Sequence, residues 1–117
     1  MITVIKSPFV QYKLTILRNK KTSNTVFRQT MNEISYLIAS DVLQYVPFKK
    51  QTIETPLKKM SGTALGQPII LVPILRAGLG LLEGFAKFLP EAEKGHIGLY
   101  RDEQTYEPVE YLSLIHI

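Results

Sequence analysis

The chain has 117 residues with a formal net charge of +4, 45% hydrophobic and 21% charged residues, and no cysteine. That length holds one domain at most and is short for a complete doubly wound α/β domain, while the composition is that of an ordinary soluble globular protein. No apolar run reaches the ~20 residues that span a membrane, and Lys6, Lys13 and Arg18 break up any export signal, so a cytoplasmic protein with no membrane partner is expected; the lack of cysteine excludes disulfides, thiolate nucleophiles and thiolate-bound metals.

Residues 2–5 can form a short edge strand. Pro8 then suits the first turn of a helix that carries Val10, Leu14 and Leu17 on one side and ends near Asn19. From Thr25, the apolar residues Phe27, Met31, Ile34, Ile38 and Val42 recur at helical steps, behind a polar start at Ser23 to Thr25 of the kind that caps helices. Core packing is sufficient reason for that stripe. Pro47 closes the helix, residues 48–57 read as a strand-like segment stopped by Pro56, and residues 58–67, with Gly62 and Gly66, read as a polar loop.

The centre of the chain reads as a βαβ unit: a strand over 69–75, a helix over 79–88 stopped by Leu89-Pro90, and a strand over 96–100. The first strand is apolar without alternation, which suits burial on both faces of a parallel sheet, although Pro73 requires a bulge or a strand end there. Residues 102–107 and Pro108 read as a mobile loop or a hairpin arm.

The strand-to-helix junction carries the chemistry. Gly78 and Gly80 bracket Leu79 and can turn the backbone with positive φ. That would leave the amides of the Ala77–Gly78 turn free for an anion, beside the guanidinium of Arg76. On pattern alone, a tight strand–helix connection accounts for the two glycines equally well; an arginine inside the turn favours the anion site. A dinucleotide fingerprint does not fit. Gly84 comes one residue too late to be the third glycine, and the next strand ends in Tyr100-Arg101 rather than a carboxylate. His96 and His116 have no metal-ligand or triad partner at useful spacing, and the carboxylate pairs Asp102-Glu103 and Glu91 with Glu93 are nonspecific.

The words VPILRAGLG (72–80), GHIGLYRDE (95–103) and EPVEY (107–111), in this order and spacing, resemble the first half of uracil phosphoribosyltransferases. The resemblance extends upstream through Pro8, Val10, Tyr12 to Thr15, Leu17-Arg18, Lys20 to Thr22 and Phe27-Arg28, with departures at Ser7, where a histidine is common, and at Ser40-Asp41, where tyrosine-glutamate is usual. It implies a fold of the type I phosphoribosyltransferase kind: an α/β, Rossmann-like parallel sheet, here truncated, with an amino-terminal helical segment. Residues 1–111 would be the amino-terminal part of that domain. Residues 112–117 form an atypical tail that resembles translated adapter read-through more than it resembles the family.

The implied reaction is pyrimidine salvage. Uracil attacks the anomeric carbon of 5-phosphoribosyl 1-diphosphate, and diphosphate leaves as uridine 5′-monophosphate forms, with Mg2+ as the usual helper. The resemblance assigns substrate binding to Arg76 and Arg101, no catalytic residue and no metal ligand. It makes 102–107 part of a flap, implies a homo-oligomer at full length and a nucleotide effector such as GTP, and suggests strain, including a non-proline cis peptide, at the Arg76-Ala77 turn. The segments that hold the ribose 5-phosphate and the pyrimidine are not found here, so no turnover by these residues alone is expected.

Two rival readings stand beside it. Another phosphoribosyltransferase or a regulator of the same fold would differ in the base-recognition region. A noncatalytic RNA-binding module would explain a sequence pI of about 9.4. Against the latter, Lys20-Lys21, Lys49-Lys50 and Lys58-Lys59 are separate pairs that read as solvated surface, and no nucleic-acid partner is expected.

Overall fold

The computed structural model describes residues 1–112, a small α/β arrangement of three helices with parallel and antiparallel strand pairs. Residues 2–5 are not a strand; no described strand pairs with them. Helix α1 (Pro8–Arg18) begins with proline in its first turn and buries Val10. The chain reverses through Asn19, whose side-chain oxygen accepts from the Lys21 amide at 2.9 Å, and Thr22, whose hydroxyl donates to the Ile16 carbonyl at 2.6 Å.

Helix α2 (Asn24–Val42) starts as its sequence indicates, with the Ser23 hydroxyl accepting from the Val26 amide at 3.2 Å. Its buried residues are Thr30, Ile34, Ser35 and Ala39, whereas Phe27 and Val42 are exposed. The expected apolar stripe is therefore rotated. Small side chains face the neighbouring helix because they let its backbone come close, and the larger apolar residues flank that seam. Lys13 on α1 forms an ion pair with Glu33 on α2 and lies 5.4 Å from the ring centroids of both Phe9 and Tyr12.

A 3₁₀ turn (Leu43–Tyr45) leads to β1 (Phe48–Glu54), as expected, but residues 58–67 are not a loop. They hold β2 (Lys59–Leu65), which pairs antiparallel with β1 from Phe48↔Leu65 to Glu54↔Lys59 without a slip. The Gly66 amide closes the base of this hairpin on the Pro47 carbonyl at 2.7 Å. Every residue of β1 is exposed, and the arm packs on no other helix or strand to any extent. Its projection fits a radius of gyration of 18.2 Å, against about 13 Å for a compact chain of this length.

The expected strand over 69–75 is split at Val72-Pro73 into β3 (Ile70–Leu71) and β4 (Ile74–Leu75). Proline has no N–H for the ladder, so the pairing is interrupted there. The carbonyls on either side hold the line: Leu71 accepts from Gly95 at 2.9 Å and Pro73 from Ile97 at 3.2 Å. Helix α3 (Leu79–Phe88) leads back to β5 (Glu93–Lys94), parallel to β3, and β6 (Ile97–Arg101), parallel to β4 with Ile74↔Ile97 and Leu75↔Gly98. Strand β7 (Pro108–Leu112) runs antiparallel to β6, with a bulge at Gly98/Leu99, so 102–107 is the loop of a hairpin and the sheet is mixed. Of the atypical tail at 112–117, only the backbone of Leu112 falls within the described residues. The main packing seam joins α2 to α3, and Leu71 carries it onto the sheet.

Candidate anion-binding site

Parallel register brings the two sequence-nominated arginines to the same sheet margin. Arg76 follows Leu75, which pairs with Gly98, and Arg101 ends β6 three residues beyond Gly98. The two are thus offset by two residues on neighbouring strands, which at ~3.3 Å per residue and ~4.8 Å between strands separates their backbones by roughly 8 Å. Their long side chains can converge on one polyanion. Both residues are exposed, and the ion pairs among the described residues involve neither: these are Lys13–Glu33 and Lys59–Glu54. A contact of Arg101 with Asp102 or Glu103, the plainest competing role, is not formed. Arg101 instead lines a cavity of about 320 Å³ with Leu99, Tyr100, Tyr106 and Pro108.

The turn between β4 and α3 differs from its expected form in three respects. No described glycine has positive φ; Gly78 is right-handed, at φ −61° and ψ −20°. The cis peptide bond is Leu75-Arg76, one bond earlier than Arg76-Ala77. Finally, much of the expected row of free amides is already committed. Gly78 donates to the Ile74 carbonyl at 2.7 Å, while Leu79 donates to Arg76 and Gly80 to Ala77, both at 3.1 Å. The amides of Arg76 and Ala77 have no backbone acceptor among the described residues, so they are the pair available to an anion. With the uncompensated N-terminus of α3 behind them, the local field still favours negative charge.

Beyond Arg101, the Asp102 carboxylate accepts from the amides of Gln104 at 2.8 Å and Thr105 at 2.9 Å. These bonds, the Thr105 one foremost, hold its pKa below the ordinary aspartate value. The loop also places Tyr106 at φ 59°, an uncommon conformation for a bulky residue, with its amide bonded to the Asp102 carbonyl at 2.9 Å. An aspartate followed by polar residues between two strands signals such an Asx turn, so this feature was open to sequence reasoning. The seam that supports the turn from behind gave no such signal. It rests on Ser35 and Gly84, which carry no apolar period.

Among the described residues no group of three or more His, Asp or Glu side chains is placed to hold a metal ion, and no helix is long and apolar enough to cross a membrane. His96 lies between β5 and β6 with Nδ1 buried and unpartnered. A cavity of about 490 Å³ lies at the opposite end of the strands, where Gln67, Pro68, Leu89 and Glu91 meet, and neither arginine lines it.

Residues 4–116 match the family model described as uracil phosphoribosyltransferase. Among curated relatives, the uracil phosphoribosyltransferases of Lactiplantibacillus plantarum and Levilactobacillus brevis are 49% and 48% identical over 109 residues, 92% of this chain and 52% of each relative. That of Salinibacter ruber is 39% identical over 114 residues, 97% of this chain and 54% of the relative. The solved structure of the AQ2163 protein from Aquifex aeolicus superposes with a TM-score of 0.88 at 30% identity, covering 98% of this chain and 56% of that one. The chain thus spans about half the length of the curated relatives it matches.

Proposed function

The chain belongs to the uracil phosphoribosyltransferase family, and from that premise we propose that it carries the diphosphate-gripping half of an enzyme that converts uracil and 5-phosphoribosyl 1-diphosphate to uridine 5′-monophosphate and diphosphate. The finer architecture proposed with it is a type I phosphoribosyltransferase sheet. In that frame β4, β6 and β7 are consecutive strands, and the β4–α3 turn is the diphosphate loop.

The observation that carries this reading is the pair of guanidinium groups, without an ion pair among the described residues, at the ends of two adjacent parallel strands, beside the Arg76 and Ala77 amides that have no backbone acceptor among those residues. In the reaction the bond from the anomeric carbon to the diphosphate oxygen breaks as a uracil nitrogen attacks and gives up its proton. The ribosyl centre becomes cationic and negative charge collects on the leaving group. Donors held against that growing charge lower the barrier, because their strength increases as the bond breaks. Arg76 and the Ala77 amide would take one end of the diphosphate, and Arg101 would reach it from the neighbouring strand. The β6–β7 hairpin, with Arg101 at its root, is suited to fold over the ligand and keep water from the ribosyl cation.

Mg2+ is the helper that the family resemblance implies, but the described residues supply no carboxylate cluster to bind it. The roles above are therefore assigned to this chain's own groups. Homo-oligomer formation, a nucleotide effector such as GTP and a cytoplasmic location belong to the same proposal for the full-length enzyme. Turnover by this chain alone is not part of it, since it spans about half of its relatives.

The test is a calorimetric or NMR titration of the chain with 5-phosphoribosyl 1-diphosphate, inorganic diphosphate and ribose 5-phosphate. Binding of the first two but not the third, weakened about tenfold or more in Arg76→Ala, is expected for a charge-assisted anion site. Equal affinity for all three, or no dependence on Arg76, overturns the reading.

A further inference from the structure

We infer that Ser35 is a positioning residue for the β4–α3 turn, fixing the helix into which the anion-binding turn of Arg76 and Ala77 leads. The inference rests on the diphosphate reading for its consequence, though not for its geometry.

Ser35 is completely buried, in the middle of α2. A serine there is a poor choice for helix stability, and its hydroxyl would ordinarily bond back to a carbonyl of its own helix. Here both of its hydrogen-bonding capacities go to α3. The hydroxyl donates to the Leu81 carbonyl at 2.5 Å and accepts from the Gly84 amide at 2.7 Å. Those partners lie three residues apart on α3, so the two bonds set the helix in both rotation and height along its axis. The backbones meet there without spacing: a Cβ on Gly84 would lie 2.3 Å from both the Ser35 carbonyl carbon and Oγ. One turn earlier, a Cβ on Gly80 would lie 3.4 Å from the Met31 methyl.

The start of α3 has no side-chain cap of its own. Its cap is Gly78, which has no side chain to accept an orphan amide, and residues 76–78 join it to a strand only two residues long. The 3₁₀-type bonds from Leu79 to Arg76 and from Gly80 to Ala77 tie the turn to the start of α3, so what anchors α3 also sets where the Arg76 and Ala77 amides point, and two polar attachments anchor this unit to the rest of the fold. One is the Gly78 amide on the Ile74 carbonyl, from the strand side; the other is Ser35, from the helix side. Removal of the hydroxyl leaves the first and the α2–α3 packing, but takes away the two directional bonds that fix the register of α3 on α2. A small displacement of converging donors is enough to weaken a charge-assisted site.

Ser35→Ala is compared with Ser35→Cys, whose thiol keeps a donor and acceptor that are weaker and reach their partners at longer distance, and with Ser40→Ala on the exposed side of α2. Amide hydrogen exchange and chemical shifts are read without ligand, followed by a titration with inorganic diphosphate. Ser35→Ala should keep its helical far-UV circular dichroism while exchange at Gly78, Leu79 and Gly80 accelerates relative to the amides of α1. Its dissociation constant for diphosphate should rise about fivefold, the scale of one lost hydrogen bond. Ser35→Cys should fall between it and the parent, and Ser40→Ala should change neither quantity. Faster exchange spread uniformly over the chain, with the 77–81 resonances unmoved, shows a merely structural serine and overturns the inference. Should Ser35→Ala not fold, Ser35→Cys with parental exchange and affinity overturns it equally. A parent chain that does not bind diphosphate refutes the site reading instead, and the ligand-free exchange still decides the role of Ser35.

Discussion

The Gly78 amide donates to the Ile74 carbonyl at 2.7 Å, and a Cβ placed on Gly78 would stand 2.5 Å from that same oxygen and 2.6 Å from the Ile74 nitrogen. The chain folds back onto the strand it has just left, so glycine is required by contact and not by handedness: its φ is −61°. Gly78→Ala must push the turn off β4. A cost of about 1–3 kcal/mol is expected from forcing a methyl into a packed site, read as a lower urea midpoint at constant slope, together with weaker diphosphate binding. An unchanged midpoint would show that the turn relaxes freely.

Arg76 separates binding from folding. It is exposed and has no carboxylate partner among the described residues, so Arg76→Ala should alter stability by no more than about 0.5 kcal/mol. Its diphosphate affinity should nonetheless fall sharply. Arg76→Lys should recover only part of the loss, because an ammonium ion supplies a point charge in place of a planar fork of donors. Full recovery by lysine would make the site a matter of net charge, with no bidentate contact.

The same contrast explains what the sequence disclosed. Helices α1 and α2 were legible because Pro8 and Ser23 mark their starts and the apolar period runs on behind them. The placement of the two arginines at neighbouring strand ends was legible because residues 69–100 read as a βαβ unit, whose strands must run parallel. Strand β2 was not, since β1 is exposed throughout and β2 nearly so; with neither face buried, no alternation of apolar and polar residues is needed. The α2–α3 seam was hidden for the opposite reason. Ser35, Ala39 and Gly84 matter through their small size, and a search for hydrophobic periods passes over them.

The β1–β2 hairpin has almost no packing to hold it, which puts weight on its turn. The Thr55 hydroxyl donates to the Lys58 carbonyl at 2.7 Å and accepts from the Lys58 amide at 3.0 Å and the Leu57 amide at 3.3 Å. Thr55→Val keeps the β-branched shape and removes all three bonds. Exchange at Gln51, Ile53 and Met60, which lie in the hydrogen-bonded pairs of the ladder, should accelerate severalfold while α2 and α3 keep their protection, since this arm can open without the rest of the molecule. Matching changes in the helices would show that the arm and the body unfold as one unit.

Acid should loosen the flap-like hairpin at β6–β7 through Asp102. Its carboxylate accepts from the amides of Thr105 and Gln104, and these bonds lower its pKa in the folded chain. A carboxyl group with a depressed folded pKa contributes stability that is present above its unfolded pKa, about 3.9, and is lost as pH falls through the lower folded value. The loop should therefore be unchanged from neutrality to about pH 5 and open only below the ordinary aspartate range. Glu33 also titrates low, chiefly through its hydrogen bond from Lys13, but it sits on α2 and reports the α1–α2 contact. Asp102→Asn separates the two, because the amide oxygen can still accept while the proton equilibrium is gone. In that variant the Gln104 and Thr105 resonances should lose their acid transition while the α1 and α2 resonances keep theirs. A Gln104 transition that survives the substitution, or one centred above the ordinary aspartate pKa in the parent, would place the acid sensitivity of this hairpin elsewhere.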